Sequence, residues 1–254
     1  GKTADAERYE SLAAEVKKAF NERFFDSRTL KYDRNSQAAN AMALYMGLAE
    51  PQYEEVVLKN LIDDIRGRGN ADIGYRYVVQ TLQDRGASDV LFDMNSRYDV
   101  PGYGYQIAMG ETALAESWQS RDYLSHNHCM LGHLYSWLFS GIGGISQESG
   151  STAYKRIVID PQIVSDLRDA RVSFRSPYGL IRSEWKDAPD EFVQTVEIPA
   201  NATARICLPA TDPAKITENG KPVSGRKDIT VKNGADGRIE LHVGSGVYRI
   251  AVEK

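Results

Sequence analysis

The sequence predicts a multi-domain α and β protein in which helical hairpins precede an antiparallel β-sandwich. Over residues 1–150, apolar side chains recur at helical spacing between short turns, which indicates an array of αα-hairpins. Beyond Tyr154, short runs rich in β-branched and aromatic residues alternate with turn residues roughly every 8 to 12 positions. We therefore expect two domains, 1–150 and 151–254.

Helical periodicity and end signals place each helix. The predicted helices are 4–24, 36–48, 51–65, 75–83 and 88–95. Ser36 is expected to cap the second helix, Pro51 suits the first turn of the third, and Gly86 ends the fourth. The apolar positions predicted to share a face within the first three helices are Leu12, Val16, Ala19, Phe20, Phe24, Ala39, Met42, Ala43, Met46, Val57, Leu58, Leu61 and Ile65.

The second domain should consist of strands. The predicted strands follow the runs KRIVIDP, ARVSFRS, GLIRSEWK, EFVQTVEIP, ARICLPA, DITVK, RIELHV and VYRIAVE. The dipeptides Asn233-Gly234 and Asp236-Gly237 are typical of turns between strands.

Composition excludes several partners. The net charge of -4 is spread without long runs, which argues against a nucleic-acid or acidic-membrane partner. No apolar run approaches the ~20 residues of a membrane span. Cys129 and Cys207 form neither a disulfide framework nor a metal pattern, so we expect no metal and no cofactor. The N-terminal residues GKTADAERYE are charged and have a helical pattern, so we do not expect them to be a signal peptide.

The number of helices raises a structural question. Six or seven helices make about half of a closed ring of hairpins, and a half ring exposes an apolar edge. We expect either that the chain is a fragment that lacks earlier helices or that the helical part packs against something else.

The stretch 102–137 is the predicted site. It holds three of the four histidines, two of the three tryptophans and two glutamates five residues apart. Residues 102–110 are too rich in glycine and aromatic residues to predict an ordinary helix, whereas a helix is expected from about Asn127 to Phe139. Loops rich in aromatic and ionisable groups commonly carry binding or catalytic sites.

Glu116 is the candidate catalytic residue in this stretch. A carboxylate between small and aromatic residues can act as a general acid or base if it is partly buried. The alternative is a surface glutamate that caps or salt-bridges a turn. Glu111 is more consistent with a role in local structure.

Several other residues in this stretch are candidates for a site role. His126 and His128 have a metal-ligand spacing but lack a third ligand, which favours a hydrogen-bonding role. His133 is expected to be an ordinary helix residue. Tyr103, Tyr105 and Trp118 suit either stacking on a sugar ring or the core. The glycine runs lack phosphate-cradle spacing, so no nucleotide site is expected.

The chain resembles a known family at this point. TALAESW, followed by SHNHCMLGHLYSWLFSGIGGI, resembles the C-terminal half of bacterial α-L-rhamnosidases of the six-hairpin type, glycoside hydrolase family 78. IVIDPQ, YGLIRSEW and VEIP resemble the C-terminal β-sandwich of this family. AANAMALYMGL and GRGNADIGYRYVVQTL resemble the last hairpins of its (α/α)6 barrel.

The resemblance implies an inverting hydrolase that releases terminal L-rhamnose from a glycan or glycoside. Glu116 matches the general base, His128 a histidine that contacts the sugar, and Asn127 lies beside it. Trp118 matches the aromatic residue after the base, and Ala115 replaces a tryptophan of the family. No counterpart of the general acid occurs in residues 1–254, so the resemblance implies that an N-terminal part completes the barrel and that the chain alone is inactive or nearly so.

Two other functions stay open. One is a six-hairpin enzyme that acts on a different sugar, and the other is a non-catalytic sugar-binding or structural module. A helical toroid that acts on prenyl substrates is disfavoured because no aspartate-rich metal motif occurs. The resemblance implies a periplasmic or extracellular parent enzyme.

Overall fold

A computed structural model describes residues 2–254. The chain forms two compact units, the first ending at Leu134 and the second comprising Tyr135–Lys254. The sequence-based domains 1–150 and 151–254 remain a prediction. None of the helices in the described part of the chain is both long and apolar enough to cross a bilayer.

The first unit is helical. Its helices are α1 (Thr3–Phe24), α2 (Gln37–Tyr45), α3 (Glu54–Arg68), α4 (Tyr75–Asp84), α5 (Ser88–Ser96) and α6 (Tyr103–Ala108). A small hairpin of β1 (Phe25–Asp26) and β2 (Lys31–Tyr32) joins α1 to α2, and a 3-10 turn, Pro51–Tyr53, precedes α3. The Ser36 side chain accepts a hydrogen bond from the Ala39 N–H, which confirms the predicted N-cap.

The buried face of α2 differs from the predicted one. Met42 and Met46 are 39% and 51% exposed, whereas the buried residues are Gln37, Asn40, Ala41, Ala43 and Leu44. Helix α2 packs against both α3 and α4, so its buried surface is wider than one apolar stripe. Gln37 satisfies its amide there by donating to Asp64 Oδ2 at 2.9 Å and to the Gly69 carbonyl at 2.8 Å.

Helix α1 carries the predicted apolar stripe without burying it. None of its described residues is fully buried, and Leu12, Val16 and Phe24 are 47%, 53% and 43% exposed. Only Phe20 packs partly against a buried cluster that includes Tyr32. The apolar face of α1 is thus largely exposed.

Within the stretch 102–137, the first part is helical where no ordinary helix was expected, and most of the expected last helix is absent. Residues 103–108 form α6, and Gly104 lets this helix lie close to the Arg97 carbonyl, which a Cβ would overlap. The predicted helix 127–139 is largely wrong, because residues 127–133 form bends and turns. The short helix α7 (Leu134–Trp137) continues into a π-helical turn, Leu138–Ile142. The His128 N–H donates a hydrogen bond to the Leu114 carbonyl, so the backbone of residue 128 pairs with another segment and not within a helix.

The second unit contains two sheets, and all eight predicted runs form strands in them. The strands are β3 (Ile145–Gln147), β4 (Arg156–Ile159), β5 (Asp169–Ser176), β6 (Gly179–Asp187), β7 (Glu191–Ile198), β8 (Thr203–Leu208), β9 (Ile216–Glu218), β10 (Lys221–Pro222), β11 (Ile229–Asn233), β12 (Ile239–Val243) and β13 (Gly246–Glu253). One sheet has the order β10-β9-β13-β7-β6-β5 and the other β11-β12-β8-β4-β3.

Alternate residues of these strands form the core. Trp185 of β6, Phe192 of β7 and Leu241 of β12 are buried, and their sequence neighbours are more exposed. The pairing is antiparallel except between β4 and β8, which run parallel. This unit is the predicted β-sandwich.

Candidate functional site

Glu116, Asn127 and His128 lie on two chain segments that run side by side after α6. The Glu116 N–H donates to the Ser125 carbonyl, and the His128 N–H donates to the Leu114 carbonyl, both at 2.8 Å. Two such bonds hold residues 114–116 against residues 125–128 as in a short antiparallel ladder. This pairing brings Glu116 and His128 together although twelve positions separate them in the sequence.

The Glu116 carboxylate is held at the surface. Its Oε2 accepts a hydrogen bond from the Ser125 N–H at 3.1 Å, and His128 Nδ1 lies 4.0 Å from the same oxygen. The Glu116 and His128 side chains are 39% and 36% exposed. The carboxylate is thus oriented by the protein and still accessible to water.

Asn127 and Tyr105 are also accessible. Asn127 is exposed, and its backbone N–H donates to Ser125 Oγ at 3.3 Å, which places it on the same segment as His128. Tyr105 is partly exposed on α6. The structure therefore brings Asn127 together with Glu116 and His128.

Trp118 does not present a sugar platform in this structure. It is 0% exposed, and its ring meets Tyr75 and Tyr103 edge-on with centroid distances of 5.0 and 5.5 Å. A ring without an accessible face cannot stack on a sugar, so the predicted contact does not fit this arrangement. The alternative interpretation, a core aromatic, describes its surroundings.

Asp72 is a structural carboxylate that the sequence analysis missed. Its Oδ1 accepts the Trp118 N–H at 3.0 Å, and its Oδ2 accepts the Ser117 hydroxyl at 3.1 Å. It fixes the turn that immediately follows Glu116. Asp72 is the only acidic residue in the glycine-rich segment 67–74 before α4, and this was the available sequence signal.

Asn95 joins α5 to the aromatic cluster behind the site. Its Oδ1 accepts hydrogen bonds from Asn70 Nδ2 and the Tyr75 hydroxyl, both at 3.2 Å, and from the Tyr103 N–H at 3.4 Å. Burial raises the pKa of Tyr103 to about 12 and that of Tyr75 well above its usual range. Both hydroxyls thus remain neutral donors that hold the cluster together.

Glu111 and His126 form a second carboxylate–imidazole pair in this loop. His126 Nδ1 lies 2.8 and 3.0 Å from the two carboxylate oxygens of Glu111. The hydrogen bond to Glu111 is the main cause of a raised His126 pKa. His126 thus has the hydrogen-bonding role that its sequence pattern favours, and Glu111 is its partner.

Two further observations describe the surface near the site. An open cavity of about 310 Å³ is lined by Tyr103, Gln106, Ile107, Glu111, Thr112, Ala113 and Leu114, so it reaches Glu111 and not Glu116. Within residues 2–254, no cluster of three or more His, Cys, Asp or Glu side chains is arranged to hold a metal ion.

Comparison with known proteins gives consistent matches in both parts of the chain. The model of the bacterial α-L-rhamnosidase six-hairpin glycosidase domain matches residues 1–142. The model of the bacterial α-L-rhamnosidase C-terminal domain matches residues 144–222. An α-L-rhamnosidase of Streptomyces avermitilis is 26% identical over 98% of this chain and 24% of its own length.

Solved structures of similar proteins have the same fold. An α-L-rhamnosidase from Dictyoglumus thermophilum superposes with a TM-score of 0.87 at 28% identity, covering 100% of this chain and 29% of that one. The Streptomyces avermitilis enzyme complexed with L-rhamnose gives 0.85 at 26% identity, covering 97% and 24%. The chain thus spans about a quarter of the length of the relatives it matches.

Proposed function

This chain belongs to the bacterial α-L-rhamnosidase six-hairpin glycosidase family, and we propose that it supplies the general base of an inverting hydrolase that releases terminal α-L-rhamnose. The base is Glu116. We assign Asn127, His128 and Tyr105 to sugar binding, because all three side chains are accessible.

The geometry of Glu116 carries this proposal. A general base must be fixed in orientation, accessible to water and within reach of the proton that it removes. The Ser125 N–H fixes Oε2 at 3.1 Å, and 39% of the side chain remains exposed. His128 Nδ1 lies 4.0 Å from the same oxygen, so one hydroxyl group or water beside the two side chains can contact both.

The proposed chemistry proceeds in one displacement. Glu116 removes a proton from a water molecule as the water oxygen attacks the anomeric carbon of rhamnose. A general acid protonates the departing glycosidic oxygen on the opposite face. The two carboxyl groups of an inverting hydrolase stand about 6.5–9.5 Å apart so that the water fits between the base and the sugar.

We assign the general acid to a part of the enzyme outside these 254 residues. The relatives are about four times as long, and no segment of this sequence resembles the acid-bearing segment of the family. The exposed face of α1 supports the same assignment, because earlier hairpins of the barrel would cover it. An isolated base retains little catalysis, since the two carboxyl groups act together.

An aryl α-L-rhamnoside assay tests the proposal. We expect negligible turnover by the 254-residue chain and turnover by a longer enzyme that contains it. In that enzyme Glu116→Gln should lower kcat by about 10²–10⁴-fold. Glu55→Gln, at an exposed position of α3, is the matched control and should retain activity.

Three results would contradict the proposal. Wild-type rates in Glu116→Gln would remove Glu116 from the mechanism, and full activity of the 254-residue chain would refute the external acid. A first-formed product with retained anomeric configuration, observed by NMR, would exclude inversion. A panel of other aryl glycosides separates rhamnose specificity from a different six-hairpin activity.

A further inference from the structure

A second carboxylate–imidazole pair stands beside the proposed catalytic one. We propose that Glu111 and His126 form a brace that positions the segment 125–128 against Glu116, so that both are positioning residues for the reaction. This inference rests on the proposed function. The brace is the Glu111–His126 pair alone, joined through Nδ1 at 2.8 and 3.0 Å.

The segment 125–128 makes all the contacts described for Glu116. Ser125 accepts the Glu116 N–H through its carbonyl and donates its own N–H to Oε2, and His128 approaches the same oxygen. His126 lies between these two residues in the chain. A shift of His126 therefore moves the carboxylate's donor and the neighbouring imidazole together.

The other end of the brace is anchored on α6. The Glu111 side chain is only 12% exposed, compared with 41% for His126. The Glu111 N–H donates to the Gln106 carbonyl at 3.1 Å, and the buried Gln106 side chain donates to the Ser117 carbonyl at 3.2 Å. The brace thus connects segment 125–128 to the helix that also holds the turn after Glu116.

The groups around His126 favour its charged form. Glu111 has the largest effect on the His126 pKa, and the Arg121 backbone carbonyl and the Asp122 carboxylate raise it further. Partial removal of the His126 imidazole from water lowers its pKa and opposes these effects. The imidazolium is the stronger donor to an anionic partner, so the brace is firmest when His126 is protonated and weakens as the pH rises.

Histidine NMR on the 254-residue chain tests the brace without turnover. The four imidazole signals, followed through a pH titration, can be assigned with single variants. The His126 midpoint should lie above the usual 6.5 and fall towards it in Glu111→Gln. The His128 signal should shift in Glu111→Gln and in His126→Phe, because the segment moves. The control variant His242→Gln removes the imidazole of the His242–Glu240 pair in β12. This variant should leave the His128 signal unchanged.

Kinetics of the longer enzyme provide the second test. Displacement of the segment should lower kcat by about ten- to a hundredfold in His126→Phe, since small misplacements of catalytic groups are costly. Glu111→Gln retains a hydrogen-bond acceptor, so it should lower kcat less and move the alkaline limb of the kcat profile to lower pH. If the pair had a purely structural role, Glu111→Gln would lower the maximum of the kcat profile without moving its alkaline limb.

An unshifted His128 signal in both variants, or an alkaline limb that stays in place in Glu111→Gln, would overturn the brace. Failure of the proposed function gives a different result, namely wild-type rates in Glu116→Gln. The NMR measurement tests the brace whether or not Glu116 is the general base.

Discussion

The Asp72 carboxylate accepts the backbone N–H of Trp118 at 3.0 Å across 46 positions of sequence. Its other oxygen accepts the Ser117 hydroxyl, so one side chain on the loop before α4 fixes the two residues that follow Glu116. The orientation of the proposed base thus depends on a second loop that contains no proposed catalytic group.

Removing this carboxylate should loosen the turn. We expect Asp72→Ala to lower the free energy of unfolding by about 1.5–3 kcal/mol, the usual range for a hydrogen bond to a charged group. Asp63→Ala, which removes an exposed carboxylate paired with Lys59 on α3, is the control and should stay within about 0.5 kcal/mol of wild type. Urea denaturation measures both. Equal, small effects would show that the Asp72 contacts do not stabilise the fold.

Trp118 should contribute mainly through packing. Because it is 0% exposed between Tyr75 and Tyr103, Trp118→Ala should destabilise the helical unit by about 3–5 kcal/mol. Its indole Nε1 has no hydrogen-bond partner among the described residues, so Trp118→Phe should cost less. Urea denaturation followed by helical circular dichroism measures the loss. A stable Trp118→Phe variant with weakened rhamnose binding would contradict a role in packing alone.

Local signals predict most elements of this fold. Ser36 caps its helix, Val57, Leu61 and Ile65 of α3 are buried at helical spacing, and all eight strand-like runs form strands. These features depend on neighbouring residues of the chain. Short-range periodicity therefore suffices to find them.

Long-range hydrogen bonds account for what the sequence analysis missed. The pairing of His128 with Leu114 prevents the helix expected from Asn127, and Gln37 is buried because its amide binds the loop after α3. The Asp72 and Glu111 contacts likewise join positions that no local pattern relates. The residues around Glu116 and the resemblance to the rhamnosidase family identified Glu116 and His128 as candidates, whereas their supports depend on tertiary structure.

The two cysteines should differ sharply in reactivity. Cys207 is 3% exposed, and burial raises the pKa of its thiol to about 12. Since the thiolate is the nucleophile, Cys207 should not react near neutral pH in the folded protein. Cys129 is exposed and should react with an aromatic disulfide reagent. We expect one thiol per chain to react before unfolding and both in urea, and rapid reaction of both in the native protein would contradict the burial of Cys207.

The Glu111–His126 pair should make stability depend on pH. The folded-state pKa of His126 is raised above the usual 6.5, so the protonated imidazole stabilises the folded state. This contribution is fully present below 6.5 and is lost as the pH rises through the raised folded-state pKa. The difference in free energy of unfolding between wild type and Glu111→Gln should therefore be larger at about pH 5.5 than at about pH 8.5. Urea denaturation of both proteins at the two pH values measures this difference. His242→Gln is the control variant. A difference that grows with pH would mean that Glu111 does not stabilise the charged imidazole.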